Sequence, residues 1–165
     1  MTYCTSIETI PACQFTFSRD LIEHFDTSRV ASATKAVVTS VDLSRVIATT
    51  HRDYAGSTWG DLKPRASGSR VAPMKRQGAN LSHLRQNPHY YLGESEKEHW
   101  SFLRLGDDYI IESGNHRTVY GRFFLAANDL ANVVHGVSVW DITLIETQRN
   151  DNEQRERRAR QSWML

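Results

Sequence analysis

Alternating and helical spacings of apolar residues succeed one another along the chain. Phe15 and Phe17 flank Thr16, which predicts a short strand. Within residues 19–35, Leu21, Ile22 and Phe25 fall at helical spacing, and Ser18 or Asp20 precedes them as an N-cap. Ala36–Val41 is β-branched and predicts a strand. A helix is expected from Asp42, which would cap it, with Leu43, Val46 and Ile47 on one face. Residues 55–80 are rich in glycine, serine and proline, and the expectation is a mobile basic loop. A short helix around residues 80–87 would then end at Pro88.

The clearest pattern follows. From His99 to Gly106, Trp100, Phe102 and Arg104 alternate with Ser101, Leu103 and Leu105. Gly106-Asp107-Asp108 is a tight turn and Asp108–Ser113 a second strand, together a β-hairpin. Gly114 then leads into an apolar helix over residues 119–132, and Val133–Ile145 returns to strand character. Trp100, Phe102, Phe123, Phe124 and Trp140 are the expected core. This order predicts a mixed α/β or α+β domain. One domain over residues 1–148 is expected, followed by an Arg-rich helical tail over 149–165 with Glu153–Arg157 and Glu156–Arg160 ion pairs. No internal repeat is expected.

Composition narrows the class. A hydrophobic fraction of 39% is too high for a disordered chain. No apolar run is long enough for a membrane-spanning helix, so no membrane insertion is expected. The N-terminal sequence shows no secretory pattern, and Cys4 and Cys13 suit ordinary thiols in a reducing cytoplasm. His83, His89, His99, His116 and His135 have no metal-ligand spacing, so no resident metal site is expected.

The net charge of +1 implies little, but its distribution is uneven. Leu62–Tyr91 contains no Asp or Glu, while Lys63, Arg65, Arg70, Lys75, Arg76 and Arg85 are basic. With Tyr90 and Tyr91 beside them, these residues are candidate contacts to DNA backbone and bases. A merely solvated loop is the other reading.

The strand–helix turn Gly114-Asn115-His116-Arg117-Thr118 carries the candidate chemistry. A helix start offers unpaired amides and partial positive charge, glycine permits close approach, and a guanidinium suits phosphate oxygens. His116 can orient phosphate or carry a proton. A plain surface turn, with Arg117 paired to Asp107, Asp108 or Glu112, is the alternative.

The string IIESGNHRTVYGRFFLA resembles the Gly-x-[His/Arg]-Arg box of the ParB/sulfiredoxin superfamily. The resemblance covers residues 99–146 and implies an α+β fold, a mixed sheet with flanking helices, in a bacterial cytoplasm; Lys63-Pro64-Arg65 is similar to the superfamily's upstream Pro-Arg element. Asn115 stands where sulfiredoxins carry their reactive cysteine, so thiol chemistry is not expected. Tyr120 replaces a customary alanine. Small stand-alone members include plasmid-encoded inhibitors of conjugative DNA transfer of the oncogenic-suppression type. That likeness implies ATP binding, ATP hydrolysis and DNA cleavage, with components of a conjugative type IV secretion system as partners. Gly114, Asn115, His116, Arg117, Thr118 and Arg65 would bind nucleotide phosphates. Arg117, His116 and Glu112 would be catalytic, with Mg²⁺ held by substrate phosphates and a carboxylate such as Asp107, Asp108 or Glu112. A non-catalytic nucleotide- or DNA-binding adaptor, acting as a switch through protein contacts, is the competing expectation.

Overall fold

The computed structural model describes residues 2–66 and 74–145. Among these residues, eight strands form one mixed sheet: β1 (Leu21–His24), β2 (Val30–Ala33), β3 (Val37–Asp42), β4 (Val46–Thr49), β5 (Ser57–Thr58), β6 (Ser101–Leu105), β7 (Asp108–Ser113) and β8 (Val133–Leu144). Three α-helices accompany them: α1 (Trp59–Leu62), α2 (Gln77–Gln86) and α3 (Asn115–Ala127). The sheet runs β2-β8-β6-β7-β4-β1-β5, with β3 also on β8. The expected α+β class and mixed sheet are present. The β6–β7 hairpin, α3 and β8 lie where the alternation and the Gly-Asp-Asp turn put them.

The first half of the chain departs from expectation. Residues 19–35 form β1 and β2 rather than a helix, so neither Ser18 nor Asp20 is a helix cap. Between those strands, Asp26 accepts a hydrogen bond from the Ser28 amide at 2.9 Å and closes a single 3-10 turn. Asp42 does the same for the Ser44 amide at 2.9 Å, so Leu43–Arg45 is one turn and β4 replaces the expected helix. Asp26-Thr-Ser-Arg-Val30 and Asp42-Leu-Ser-Arg-Val46 are therefore a local repeat, each an Asp-capped turn that launches a strand. Phe15 and Phe17 lie in turns and are both buried.

Residues 55–80 are not one loop. Thr58 and Asp61 form a capping box on α1, whose Trp59 and Leu62 are buried, and α2 begins at Gln77. Residues 67–73 and the tail from 146 lie outside the described residues. α2 ends before Pro88 as expected.

The main core joins α3 to one sheet face. Val119, Phe123 and Phe124 pack with Phe15, Phe17, Trp59, Trp100 and Phe102. Burying aromatic side chains of this size contributes on the order of 2–3 kcal/mol each. Trp140 is only partly buried and belongs to a smaller cluster with Phe25, Ala48, Leu103, Ile110 and Ile142. Tyr120 is fully buried, and Gly121 leaves room for Tyr91, whose ring would lie 3.0 Å from an added Cβ. No helix among the described residues is long and apolar enough to cross a membrane.

Candidate functional site

β7 enters α3 through Gly114, which caps the helix in the left-handed region at φ 84°. A side chain would not fit there, because an added Cβ would lie 2.6 Å from Trp100 Cδ1. Trp100 Nε1 donates to Thr118 Oγ1 at 2.9 Å, and that hydroxyl donates to the Gly114 carbonyl at 2.9 Å. These bonds fix the turn against the hairpin. On the other side, the buried Thr49 hydroxyl donates to Asn115 Oδ1 at 2.7 Å and accepts from the His51 amide at 3.1 Å. The end of β4 thus holds both the first residue of α3 and the 51–54 turn.

No side chain among the described residues caps α3. The amides of Asn115, His116 and Arg117 have no acceptor among the described residues. They adjoin a hollow of about 1000 Å³ lined by His51, Tyr54, Lys75, Arg76, His83, Glu98, Glu112 and residues 113–117, among others. Such a volume is of the size that takes a nucleotide.

Arg117 forms no ion pair with Asp107, Asp108 or Glu112. Its guanidinium donates to the Tyr90 hydroxyl at 2.9 Å and to the carbonyls of Glu98 at 2.7 Å and His99 at 2.5 Å. A guanidinium has five N–H donors. Nε and one Nη2 hydrogen have no partner among the described residues, so Arg117 is both a structural clamp and a cation facing the hollow.

His116 is half-buried, and its Nε2 lies 3.5 Å from the Tyr54 hydroxyl. Burial pushes its pKa below the usual 6.5; a backbone hydrogen bond at Lys75 opposes this, while the charges of His51, Arg76 and Arg117 add to it. Burial likewise raises the Tyr54 phenol. At neutral pH His116 is therefore uncharged and able to accept a proton. The lowered folded pKa means that the unfolded chain takes up a proton first on acidification. Stability should thus fall as pH drops through the unfolded value of about 6.5 and level off below the folded one. His116→Gln should flatten that part of the profile; urea midpoints between about pH 7 and about pH 5 measure it.

The predicted residues separate. Gly114, Asn115, His116, Arg117, Glu112, Lys75 and Arg76 all line the hollow. Thr118 is buried behind it, committed to Trp100 and Gly114, so its side chain does not reach a phosphate. Arg65 lines a separate hollow with Glu8 and Pro11, away from the turn. Lys63, expected on DNA, is 4% exposed, and its Nζ donates to the Pro64 carbonyl at 3.1 Å. Arg85 pairs with Glu8. Arg70 lies outside the described residues. Asp107 and Asp108 sit at the hairpin turn, at the opposite end of β7 from Gly114, and do not line the hollow.

No family model, curated protein or solved structure matches this chain. The site therefore stands on its own geometry. His51 and Tyr54, absent from the sequence expectations, form a stacked pair with centroids 4.4 Å apart on the hollow's wall. Lys97 is another addition. It is 4% exposed, and its ammonium donates to the carbonyls of Gly93, Ser95 and His135 at 2.7, 3.3 and 2.6 Å. It anchors the 93–97 segment beneath the rim, and burial lowers its pKa.

A Mg²⁺ ion fits this donor set only as a partner of substrate phosphate. No group of three His, Cys, Asp or Glu among the described residues is placed to hold a metal. Glu112 accepts from the Ser101 hydroxyl through Oε2, and its Oε1 has no protein partner among the described residues.

Proposed function

We propose that the hollow binds the phosphates of a nucleotide, and that the protein is a phosphohydrolase acting on ATP and on DNA. The observation that carries the reading is the uncapped start of α3, with acceptorless amides and a cationic side chain beside a nucleotide-sized cleft. The likeness of the Gly-Asn-His-Arg box to the ParB/sulfiredoxin superfamily supports ATP as the nucleotide. It also supports interference with conjugative DNA transfer as the biological role.

In this reading the Asn115–Arg117 amides and the free donors of Arg117 hold phosphate oxygens. Charge that grows on those oxygens in the transition state meets donors already in place. Neutral His116 accepts the proton of the attacking water, whose oxygen bonds to phosphorus as the leaving oxygen departs. Glu112 would help to hold a Mg²⁺ ion, which would neutralise phosphate charge. Phosphate release from ATP by the purified protein, and nicking of a supercoiled plasmid, test the proposal. His116→Gln should reduce both at least about tenfold if general-base catalysis contributes. ATP binding with no turnover would favour the adaptor role, which the use of Arg117 for three internal hydrogen bonds also suits.

Lys75 and Arg76, both exposed at the hollow, are the DNA contacts this geometry favours. DNA affinity should fall steeply between about 50 and 200 mM salt as counterions compete. Lys75→Ala with Arg76→Ala should reduce the salt slope by about 2, and Lys63→Ala should leave it unchanged. Fluorescence anisotropy with a labelled oligonucleotide measures both slopes.

A further inference from the structure

The edge of the sheet made by β2 and β3 is open. Both strands pair with β8 along one side, and neither has a second strand partner among the described residues. The residues of β3 are unusual for such an edge. Val37 is 60% exposed and Val38 is 47% exposed. Successive strand residues point to opposite faces, so apolar surface is uncovered on both sides of the ribbon. Natural edges are ordinarily blunted by charge, proline or bulges. Val37–Val41 has no charged residue and no proline. The register shift beside it falls on β8, where three steps from Val137 to Val134 oppose two steps from Thr39 to Val41. The strand itself runs without an extra residue.

We infer that β3 pairs with β3 of a second copy, antiparallel about a two-fold axis, to join two sheets into one. A second copy is the occupant this strand suits, because the sequence is complementary to itself. With the axis at Val38, Val38 faces Val38 of the second copy, and Val37 faces Thr39. β-branched residues directly opposite are favourable cross-strand pairs. The same pairing sets Lys35 of each strand opposite Val41 of the other, next to Asp42, so opposite charges lie one residue apart at both ends. Lys35 is exposed and makes no ion pair among the described residues. A two-fold edge pairing also closes, leaving no further edge of this kind to propagate a fibre.

Sedimentation velocity on the purified full chain tests this. The wild type should sediment as a species of twice the 18.9 kDa chain mass. Val38→Lys sets two ammonium groups face to face across the axis and should give a monomer with an unchanged circular dichroism spectrum. Its dissociation constant should rise at least about tenfold, since like charges directly opposite are destabilising. Lys35→Glu, at another exposed position, should weaken the dimer by repelling Asp42 and serves as the second variant should the first not fold. A wild type that stays monomeric at about 100 µM overturns the inference. So does a folded Val38→Lys protein that dimerises as tightly as the wild type, because another surface would then make the contact.

Discussion

Arg117→Ala is expected to lose ATP affinity by at least about 100-fold, since two charge-assisted hydrogen bonds to phosphate at about 1.5 kcal/mol each correspond to that factor. The free Nε and Nη2 donors of Arg117 are the ones at stake. The same change is not silent for the fold. The guanidinium ties together Tyr90 and the Glu98 and His99 carbonyls, and its carbon sits 5.8 Å from the centroid of the Trp100 ring. Loss of that clamp should cost about 1–3 kcal/mol of stability. Arg117→Lys separates the two roles. It keeps a positive charge but cannot span three acceptors in a planar fork, so it should retain part of the ATP affinity while losing most of the clamp. Calorimetric titration with ATP, beside urea unfolding of each variant, reads both effects. Wild-type affinity in a folded Arg117→Ala protein would remove this residue from the site.

Within the candidate site, the largest effect on stability should come from Gly114→Ala. A left-handed conformation at φ 84° costs an alanine about 1–2 kcal/mol. The added methyl would also lie 2.6 Å from Trp100 Cδ1 and 3.0 Å from Cγ. Trp100 cannot retreat easily. It is 1% exposed, bonded to Thr118 through Nε1, and packed against Tyr90 and Tyr91. Overpacking of this kind adds about 1–3 kcal/mol, for a total of about 2–5 kcal/mol. Gly106→Ala is the matched control, with φ 62° and nothing within 4 Å of the added Cβ, so backbone strain alone should cost it about 1 kcal/mol. Equal urea midpoints for the two variants would show that Trp100 does not brace the Gly114 turn.

The hairpin, α3 and β8 are legible in the sequence because their signals are local. β6 and β7 alternate about a Gly-Asp-Asp turn, and Gly114 separates strand from helix. β1 and β4 are not, because the spacing of Leu21, Ile22 and Phe25, or of Leu43, Val46 and Ile47, fits a helix as well as a strand broken by a turn. The deciding signal was the repeated Asp-x-Ser-Arg-Val, in which Asp caps a single turn and ends any longer helix. β4 then becomes a strand through parallel pairing with β1 and β7, which are distant in sequence.

The same division holds for the site. Residues 114–117 stand out by themselves, whereas His51 and Tyr54 reach the hollow only because β4 lies beside β7. Basic residues within one run gave no hint of their separate fates. Lys75 and Arg76 face the hollow, Arg65 faces another, Arg85 meets Glu8, and Lys63 is buried beside Pro64.

Equilibrium binding of ATP to the purified wild type and to the Lys75→Ala, Arg76→Ala double variant tests the proposal of a phosphate-binding hollow most directly. In the proposed reading these two side chains, exposed at the same hollow, serve the phosphates of ATP as well as those of DNA, and their loss should leave the fold intact. Saturable binding by the wild type, weakened at least about tenfold in the double variant, is the expected result, each lost charge-assisted contact being worth about 1 kcal/mol or more. No saturable binding by the wild type, or equal affinity in the two proteins, would contradict a nucleotide seated at the start of α3.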